Sequence, residues 1–599
     1  MVLSKLSAAW REPDAAAAGV PARPRLLPVT RLARIALVLI LAFTFARGAL
    51  WATTTPNFWG PDEDYHMMYV DTVGHDHRLI TPSKPLYSNE YSRTLDYTGF
   101  NFYGGHPRTA FGGDPKFNLH RLAALPESQR EKVATGRGIG VIHAPLYYLA
   151  GGAVDFALGP KAMPTRLFWV RMVSGVFGVL AVYATWLLAS LFFAAEAAAL
   201  AAALIVALQP MLSYLSGLVN NDTAVVSTSV LVLAFAVFIT KSRPRVQQGM
   251  WLGGALALAL ATKSTALAMI PVAGLAYLLQ GATHGQWRVV ARSLAWAVVI
   301  PLVLIGWWYI RSKILWGTFT GEVHGFHGLG QLPPAPGGPP PPATQPDPAT
   351  LHAYLGSTKR WLATAYRTFW FHYMEYEAPR GTYRYFAPAV ACGIGMLAYL
   401  YYFFAKLRTW RLPDKPLLRM TVVAVAPLIT FIGPLCLLDV RRQIAGGGFL
   451  QAAGRFGLPA YPGLVVAAMV GLFWLVRRQH HRVLVAALIF GAGWECWTGY
   501  RYHYLLRYFG TFNLNLGFHR MAYDRPEFLT ATFIWGIFIT TILLVLASCV
   551  ALWKLGRRED PDRPIAAAES GTADGEPDPT RRPWWRVRLP RRATPVPGA

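Results

Sequence analysis

This chain has few cysteines and few acids relative to its bases. Its four cysteines, Cys392, Cys436, Cys496 and Cys549, lie in or beside apolar runs, with no CxxC and no His/Cys spacing. Neither a disulfide framework nor a structural zinc is therefore expected. Asp and Glu number 31 against 57 Lys and Arg, a formal net charge of +26. Such an excess can mark a nucleic-acid partner, but here the basic residues sit in short segments between apolar runs and at the two ends, as in a membrane protein that keeps its cations on one side. No nucleic acid is expected to bind. Clear inverted repeats are also missing, which removes the usual sign of a secondary transporter.

Apolar residues are what is plentiful. They make up 54% of the chain, aromatics 13%, and the mean hydropathy is +0.31. Several runs reach eighteen residues or more, long enough to cross a bilayer as helices. The expected fold is an all-α polytopic membrane protein with about twelve spans, in the range of about 11 to 13. They fall near 33–52, 166–193, 197–216, 223–240, 249–263, 264–281, 291–310, 385–405, 418–438, 458–476, 483–499 and 528–553. The stretch 141–159 carries His143, Pro145 and Asp155 and suits a helix lying in the interface. If it does not span, the basic clusters at 241–245, 288–292, 406–419, 477–482 and from 554 share the side of the amino terminus. That side is then the cytoplasm, with the protein in the plasma (inner) membrane.

Three regions follow. Residues 1–32 form a basic cytoplasmic leader, 33–555 the transmembrane domain with a retained first span, and 556–599 a cytoplasmic tail of disordered composition. The tail's stretch 581–588, Arg-Arg-Pro-Trp-Trp-Arg-Val-Arg, has the makings of a contact with anionic lipid. Two segments are expected outside: 52–165, with a Gly-rich loop around Tyr103 to Gly113, and 311–384, with a polyproline spacer from Pro333 to Pro348. After that spacer, Leu351 to Tyr376 has the pattern of an aromatic amphipathic helix at the membrane surface.

The acidic cluster Trp59-Gly-Pro-Asp-Glu-Asp-Tyr-His66 follows the first span directly. Charge at a membrane mouth is costly and is commonly functional. The topology brings Asp62, Glu63, His143, Arg166, Arg171, Asp222, Lys263, Arg311, Arg441, Arg442 and Arg455 to the outer ends of spans. Acids beside cations at one interface can hold a lipid phosphate next to a general base. Each cation alone is also explained by snorkelling. Lys263 is the exception, because a tight hairpin between two spans confines it and a bound anion would offset its insertion cost, about 2.5 to 3.5 kcal/mol at midspan and less near the interface.

Five pieces, in this order, resemble the GT-C superfamily of membrane glycosyltransferases, which use polyprenyl-phosphate-linked sugars. They are Pro61-Asp62-Glu63, His143-Ala-Pro-Leu-Tyr-Tyr148, Arg166 through Gly178, Asn220-Asn221-Asp222 with Ala261-Thr262-Lys263, and Gln451-Ala-Ala-Gly-Arg-Phe-Gly-Leu-Pro-Ala460. Gly306-Trp-Trp-Tyr-Ile-Arg311 and Thr368-Phe-Trp-Phe-His372 are similar to an uncharacterised bacterial branch. That branch carries a Gln-Gly-Arg-Tyr-like motif, which two alanines interrupt here. The resemblance implies that Asp62 is the catalytic base, with Glu63 tuning it or contacting the acceptor. His143, Asp222, Lys263, Arg311 and Arg455 would serve the lipid phosphate.

The implied reaction moves a sugar from a polyprenyl-phosphate donor to an extracytoplasmic glycan, lipid or protein. One displacement with inversion suffices, since a single carboxylate acts. No cofactor is required. Asp62-x-Asp64 has divalent-cation spacing and Asp222 could complete an oxygen site for Mg or Mn. His66, His75 and His77 are scattered rather than spaced as zinc ligands. Two other classes share part of the pattern: a lipid or polysaccharide transporter or flippase, with Lys263 and Asp222 lining its path, and a glycan ligase or polymerase, which would not need the early Asp-Glu pair.

Overall fold

The computed structural model of the chain describes residues 26–81, 90, 93–94, 143–320, 351–370, 386–407, 416–444, 454–505, 509–522 and 525–559. All regular structure among them is helical. The amino-terminal leader up to residue 25, the Gly-rich loop, the proline run, Gln451 to Ala453 and the tail from 560 lie outside the described residues.

Helix α1 (Arg31–Thr54) starts at Thr30, whose hydroxyl accepts the Ala33 N–H. A short helix α2 (Glu63–Asp76) follows the acidic cluster, and α3 (Leu146–Leu158) occupies the stretch expected to lie in the interface. Next come α4 (Met163–Phe192), α5 (Glu196–Ala207), α6 (Pro210–Leu215), α7 (Asp222–Lys241) and α8 (Val246–Leu260). A 3-10 turn (Ser264–Ala268) leads to α9 (Met269–His284) and α10 (Trp287–Trp316). The later helices are α11 (Leu351–Trp370), α12 (Phe386–Leu407), α13 (Pro416–Pro427), α14 (Gly433–Ile444), α15 (Tyr461–Leu475), α16 (His481–Thr498), α17 (Leu514–Ala522) and α18 (Ala531–Arg558). A π-turn (Leu428–Ile432) joins α13 to α14, and a 3-10 turn (Gly454–Ala460) precedes α15.

Nine helices among the described residues are long and apolar enough to cross a membrane; three shorter apolar helices accompany them, including α3 and α5. The expected span 197–216 is not one helix. Pro210 has no N–H to continue α5, so α5 stops and α6 restarts one turn on, capped by Gln209 through its Oε1 on the Leu212 N–H at 2.5 Å. Arg47 of α1 donates to the carbonyls of Ala207 and, at 3.3 Å, of Leu208. A buried cation thus satisfies the carbonyls that the break leaves open.

Side chains from distant segments fix the ends of the bundle. At one end the Glu196 carboxylate accepts from the Thr30 hydroxyl at 2.7 Å, and Glu559 caps α5 through the Glu196 N–H at 2.7 Å. Close helix packing sets the positions between the ends. A Cβ at Gly249 would lie 1.8 Å from the Ser293 carbonyl oxygen, and one at Gly253 2.8 Å from that of Trp296. The Gly-xxx-Gly stripe of α8 therefore lets α10 approach backbone to backbone, as small residues do between membrane helices.

Candidate active site

The site is built at the end of the bundle where α1 finishes. Its carbonyls have no helical partners there, and two buried arginines supply them. Arg171 of α4 donates to Ala52 at 3.0 Å, Thr55 at 2.8 Å and Pro56 at 2.8 Å. Arg525 donates to Thr53 at 2.9 Å and Thr54 at 3.0 Å, and to the Asn57 side chain at 3.1 Å. Cations at a helix carboxyl end also complement its dipole. The acidic cluster that follows is thereby held in place.

Glu63 and Asp62 then part company. Glu63 is fully buried, and its carboxylate takes a bidentate pair from Arg171, at 2.7 Å from Nε and 2.6 Å from Nη2. It also accepts the Val219 N–H at 2.9 Å. Its acceptor capacity is filled from within the protein, so it anchors the turn and does not reach the cleft. Asp62 sits just before α2 with φ 55°, in the left-handed region that Asp tolerates better than most residues. That conformation turns its side chain the other way, and 42% of it remains exposed.

Asp62 Oδ2 accepts from Arg455 Nη2 at 2.8 Å, and Arg455 Nε lies 3.4 Å from Asp222 Oδ2. Asp222 Oδ1 in turn accepts from Lys263 Nζ at 2.5 Å. Two carboxylates and two cations, from four separate segments, form one chain. Phe456 lies beneath both cations, with its ring centre 5.1 Å from Lys263 Nζ and 5.3 Å from the Arg455 guanidinium carbon. The segments are tied together locally. Asn220 Nδ2 donates to the Pro61 carbonyl at 3.2 Å, its Oδ1 accepts the Asp222 N–H at 2.6 Å, and Leu146 N–H reaches the Ala261 carbonyl at 2.9 Å.

Imidazoles line the same cluster. His66 and His143 stack with ring centres 5.7 Å apart, and His66 Nδ1 shares a 2.7 Å hydrogen bond with the Tyr148 hydroxyl. Burial, aided by Lys263 and opposed by Asp62, pushes His66 down to about 4. Burial and Lys263 likewise hold His143 well below the usual histidine range. Both rings are neutral at physiological pH. Burial opposes ionisation of Asp62, but the charges of Arg455 and Lys263 outweigh it and hold the carboxyl below the ordinary aspartate range. Asp64 behaves oppositely: burial and the neighbouring Asp62 charge push it up to about 7.

Of the residues singled out from sequence, Asp62, Asp222, Lys263 and Arg455 meet directly, and His143 lies close enough for the charges of Lys263, Asp222 and Arg455 to act on it. Glu63 and Arg311 are not brought to the cluster. Arg311 donates instead to the Ile80 carbonyl at 2.6 Å. From sequence His66 is one of three scattered histidines, and nothing there marks Arg525 or Phe456 as site residues. The interval from Asp62 to His66, one helical turn on α2, was the only signal for the histidine.

The metal alternatives can be tested against this geometry. Asp62 and Asp222 are already faced by Arg455 and Lys263, and Asp62, Asp64 and Asp222 do not converge within ligand distance among the described residues. They do not fit a Mg or Mn site as they stand. His66 is bonded to Tyr148, while His77 packs its ring edge-on against Phe156. A second group, Asp71, His75 and Asp155, does converge. Its centre is filled by Arg166, which donates to Asp155 at 2.8 and 2.7 Å and also to Asp71. The network ties α2, α3 and α4 together.

A family model described as "Predicted membrane protein (DUF2142)" matches residues 45–449. The chain belongs to this family. Every residue of the four-member cluster except Arg455 lies within the matched region of this DUF2142 protein. No curated protein matches the chain. Among solved structures it is similar to ArnT from Cupriavidus metallidurans. The structure bound to undecaprenyl phosphate shows 16% identity and a TM-score of 0.38, covering 88% of this chain and 76% of that one. The apo structure shows 16% identity and a TM-score of 0.32, covering 69% and 66%.

Proposed function

We propose that this DUF2142 protein is a membrane glycosyltransferase of the GT-C type, moving a sugar from a polyprenyl-phosphate donor to an extracytoplasmic glycan, lipid or protein. The observation that carries the reading is the chain Asp62–Arg455–Asp222–Lys263, in which a partly exposed carboxylate stands beside two buried cations. The ordered motifs that resemble the superfamily supply four of its members. Both termini then lie in the cytoplasm and the site faces outward from the plasma (inner) membrane.

In the proposed reaction the acceptor oxygen attacks the anomeric carbon as the bond from that carbon to the phosphate oxygen breaks. The leaving phosphate keeps the electron pair, and the acceptor proton passes to Asp62. Lys263 and Arg455 stabilise the departing phosphate, and Asp222 balances their charge while no phosphate is bound. A low Asp62 pKa is acceptable, because the hydroxyl becomes acidic only as its oxygen bonds to carbon. A single acting carboxylate predicts inversion. Asp62 and Asp222 already face Arg455 and Lys263, so transfer is expected to be metal-independent. Glu63 acts as a positioning residue through Arg171.

The test is turnover of a panel of polyprenyl-phosphate sugars by purified protein in lipid nanodiscs with cell-envelope extract as acceptor source, with Asp62→Asn in parallel. One donor consumed by wild type and spared by the variant, which still binds the lipid, is the expected result. Absence of both turnover and donor binding across the panel would discard the transferase in favour of a transporter or ligase.

A further inference from the structure

Arg311 lies five residues before the end of α10. Its guanidinium is held from two sides: Nη2 donates to the Ile80 carbonyl at 2.6 Å, and the group lies over the Trp308 ring at 5.1 Å. Nη1 is buried with no hydrogen-bond partner. Tyr69, 1% exposed, packs in the same small core as Ile80, and Arg311 is the charged group that acts on its hydroxyl. That hydroxyl is also buried and unpaired. A fixed guanidinium and a neighbouring phenol are thus left with hydrogens to donate and nothing to accept them.

Buried polar groups in native proteins are almost always paired, and a group of orphaned donors around a cation is the complement of an anion. We propose that Arg311 and Tyr69 form a second anion site, one that takes a phosphate group and is separate from the Asp62–Lys263 cluster. The Tyr69 ring stacks on Tyr148 at 3.9 Å, and Tyr148 bonds His66. This stack of rings divides the two sites and links them. The proposal stands on these contacts and does not require the transfer reaction.

The experiment is phosphorus-31 line broadening on the full chain in dodecyl maltoside micelles, titrated with inorganic phosphate in one arm and phosphatidylglycerol in the other. Lys263→Gln, which removes a cation of the other cluster, is expected to keep a saturable binding event. Adding Arg311→Gln should weaken that event by about tenfold or more, as for loss of a charge-assisted contact. Tyr69→Phe on the Lys263→Gln background should weaken it about two- to fivefold, since one donor goes and the charge stays. Binding of inorganic phosphate identifies a free anion as the ligand; binding of phosphatidylglycerol alone identifies a headgroup. No saturable binding in either arm, loss of all binding with Lys263→Gln alone, or binding that Arg311→Gln leaves unchanged would overturn the proposal. Binding lost with Arg311→Gln and untouched by Lys263→Gln would leave the second site standing while removing the phosphate role of Lys263. Should Arg311→Gln fail to stay folded by gel filtration, Tyr69→Phe on the Lys263→Gln background makes the same comparison.

Discussion

Adjacent residues of the same chemistry have opposite fates here. Glu63 is closed off by Arg171 while Asp62 opens to the cleft. Removing one partner of a buried pair leaves the other charge stranded, so Glu63→Gln should destabilise the fold by about 3 to 5 kcal/mol, read as a lowered melting temperature in nanodiscs. Asp62→Asn should leave melting nearly unchanged and lower turnover by about 10²- to 10⁴-fold. If the two variants exchanged these effects, the assignment of base and anchor would be reversed. Asp64 gives a pH signature. Its folded value, about 7, lies above the ordinary aspartate value of 3.8, so the folded state binds the extra proton between those limits and this group's contribution falls as pH rises through them. The two imidazoles have lowered values and act with the opposite sign at acid pH. The clean measurement is therefore a difference. The melting temperature of Asp64→Asn should gain on wild type from about pH 4 to 7 and then level off; a gap that does not change with pH would refute it.

Elements place the cations. Arg455 stands on a 3-10 turn whose Gly454 N–H donates to the Thr368 hydroxyl of α11 at 2.6 Å, and Gln209 Nε2 reaches the Phe369 carbonyl at 2.7 Å. A Cβ at Gly454 would lie 2.1 Å from the Ala365 carbonyl oxygen. Gly454→Ala must push α11 and the turn apart and move Arg455 from Asp62. We expect about a hundredfold loss of turnover, since a displacement near 1 Å at a site can cost that much, with the circular dichroism of a folded helical protein retained. On α8, Gly249→Ala would meet the Ser293 carbonyl and should cost about 1 to 3 kcal/mol through overpacking, measured as thermal unfolding.

At the scale of the molecule, the chain's alternation brings the carboxyl ends of α1 and α8 and the amino ends of α4 and α7 to one end of the bundle. Among the described residues, the cations at 241–245, 288–292, 477–482 and 554–558 lie at the opposite ends of the helices. A green fluorescent protein fused to the carboxyl terminus should therefore fluoresce, while an exported alkaline phosphatase fused there should be inactive. The reverse pattern would turn the site toward the cytoplasm. Transfer should also survive EDTA, and loss of turnover restored by magnesium or manganese would show that the cations do not replace a metal.

Hydropathy alone determined that the chain is helical and membrane-embedded, because crossing a bilayer demands long apolar runs whatever their packing. Chain alternation placed eleven ionisable residues at one end, Asp62, Asp222, Lys263 and Arg455 among them, and the resemblance to the superfamily supplied their expected roles. What alternation cannot specify is which charges pair, for that depends on rotation of each helix and on contacts between segments far apart in sequence. Only the tertiary structure decided that Arg171 closes on Glu63, that Arg455 bridges two aspartates, and that Arg311 stands apart beside Tyr69. It also decided the break before Pro210, where a buried Arg47 makes up for the carbonyls that proline leaves open. Charges in a membrane are stable only with a partner at hydrogen-bond distance. Sequence reports that the charges are present, and packing alone sets those distances.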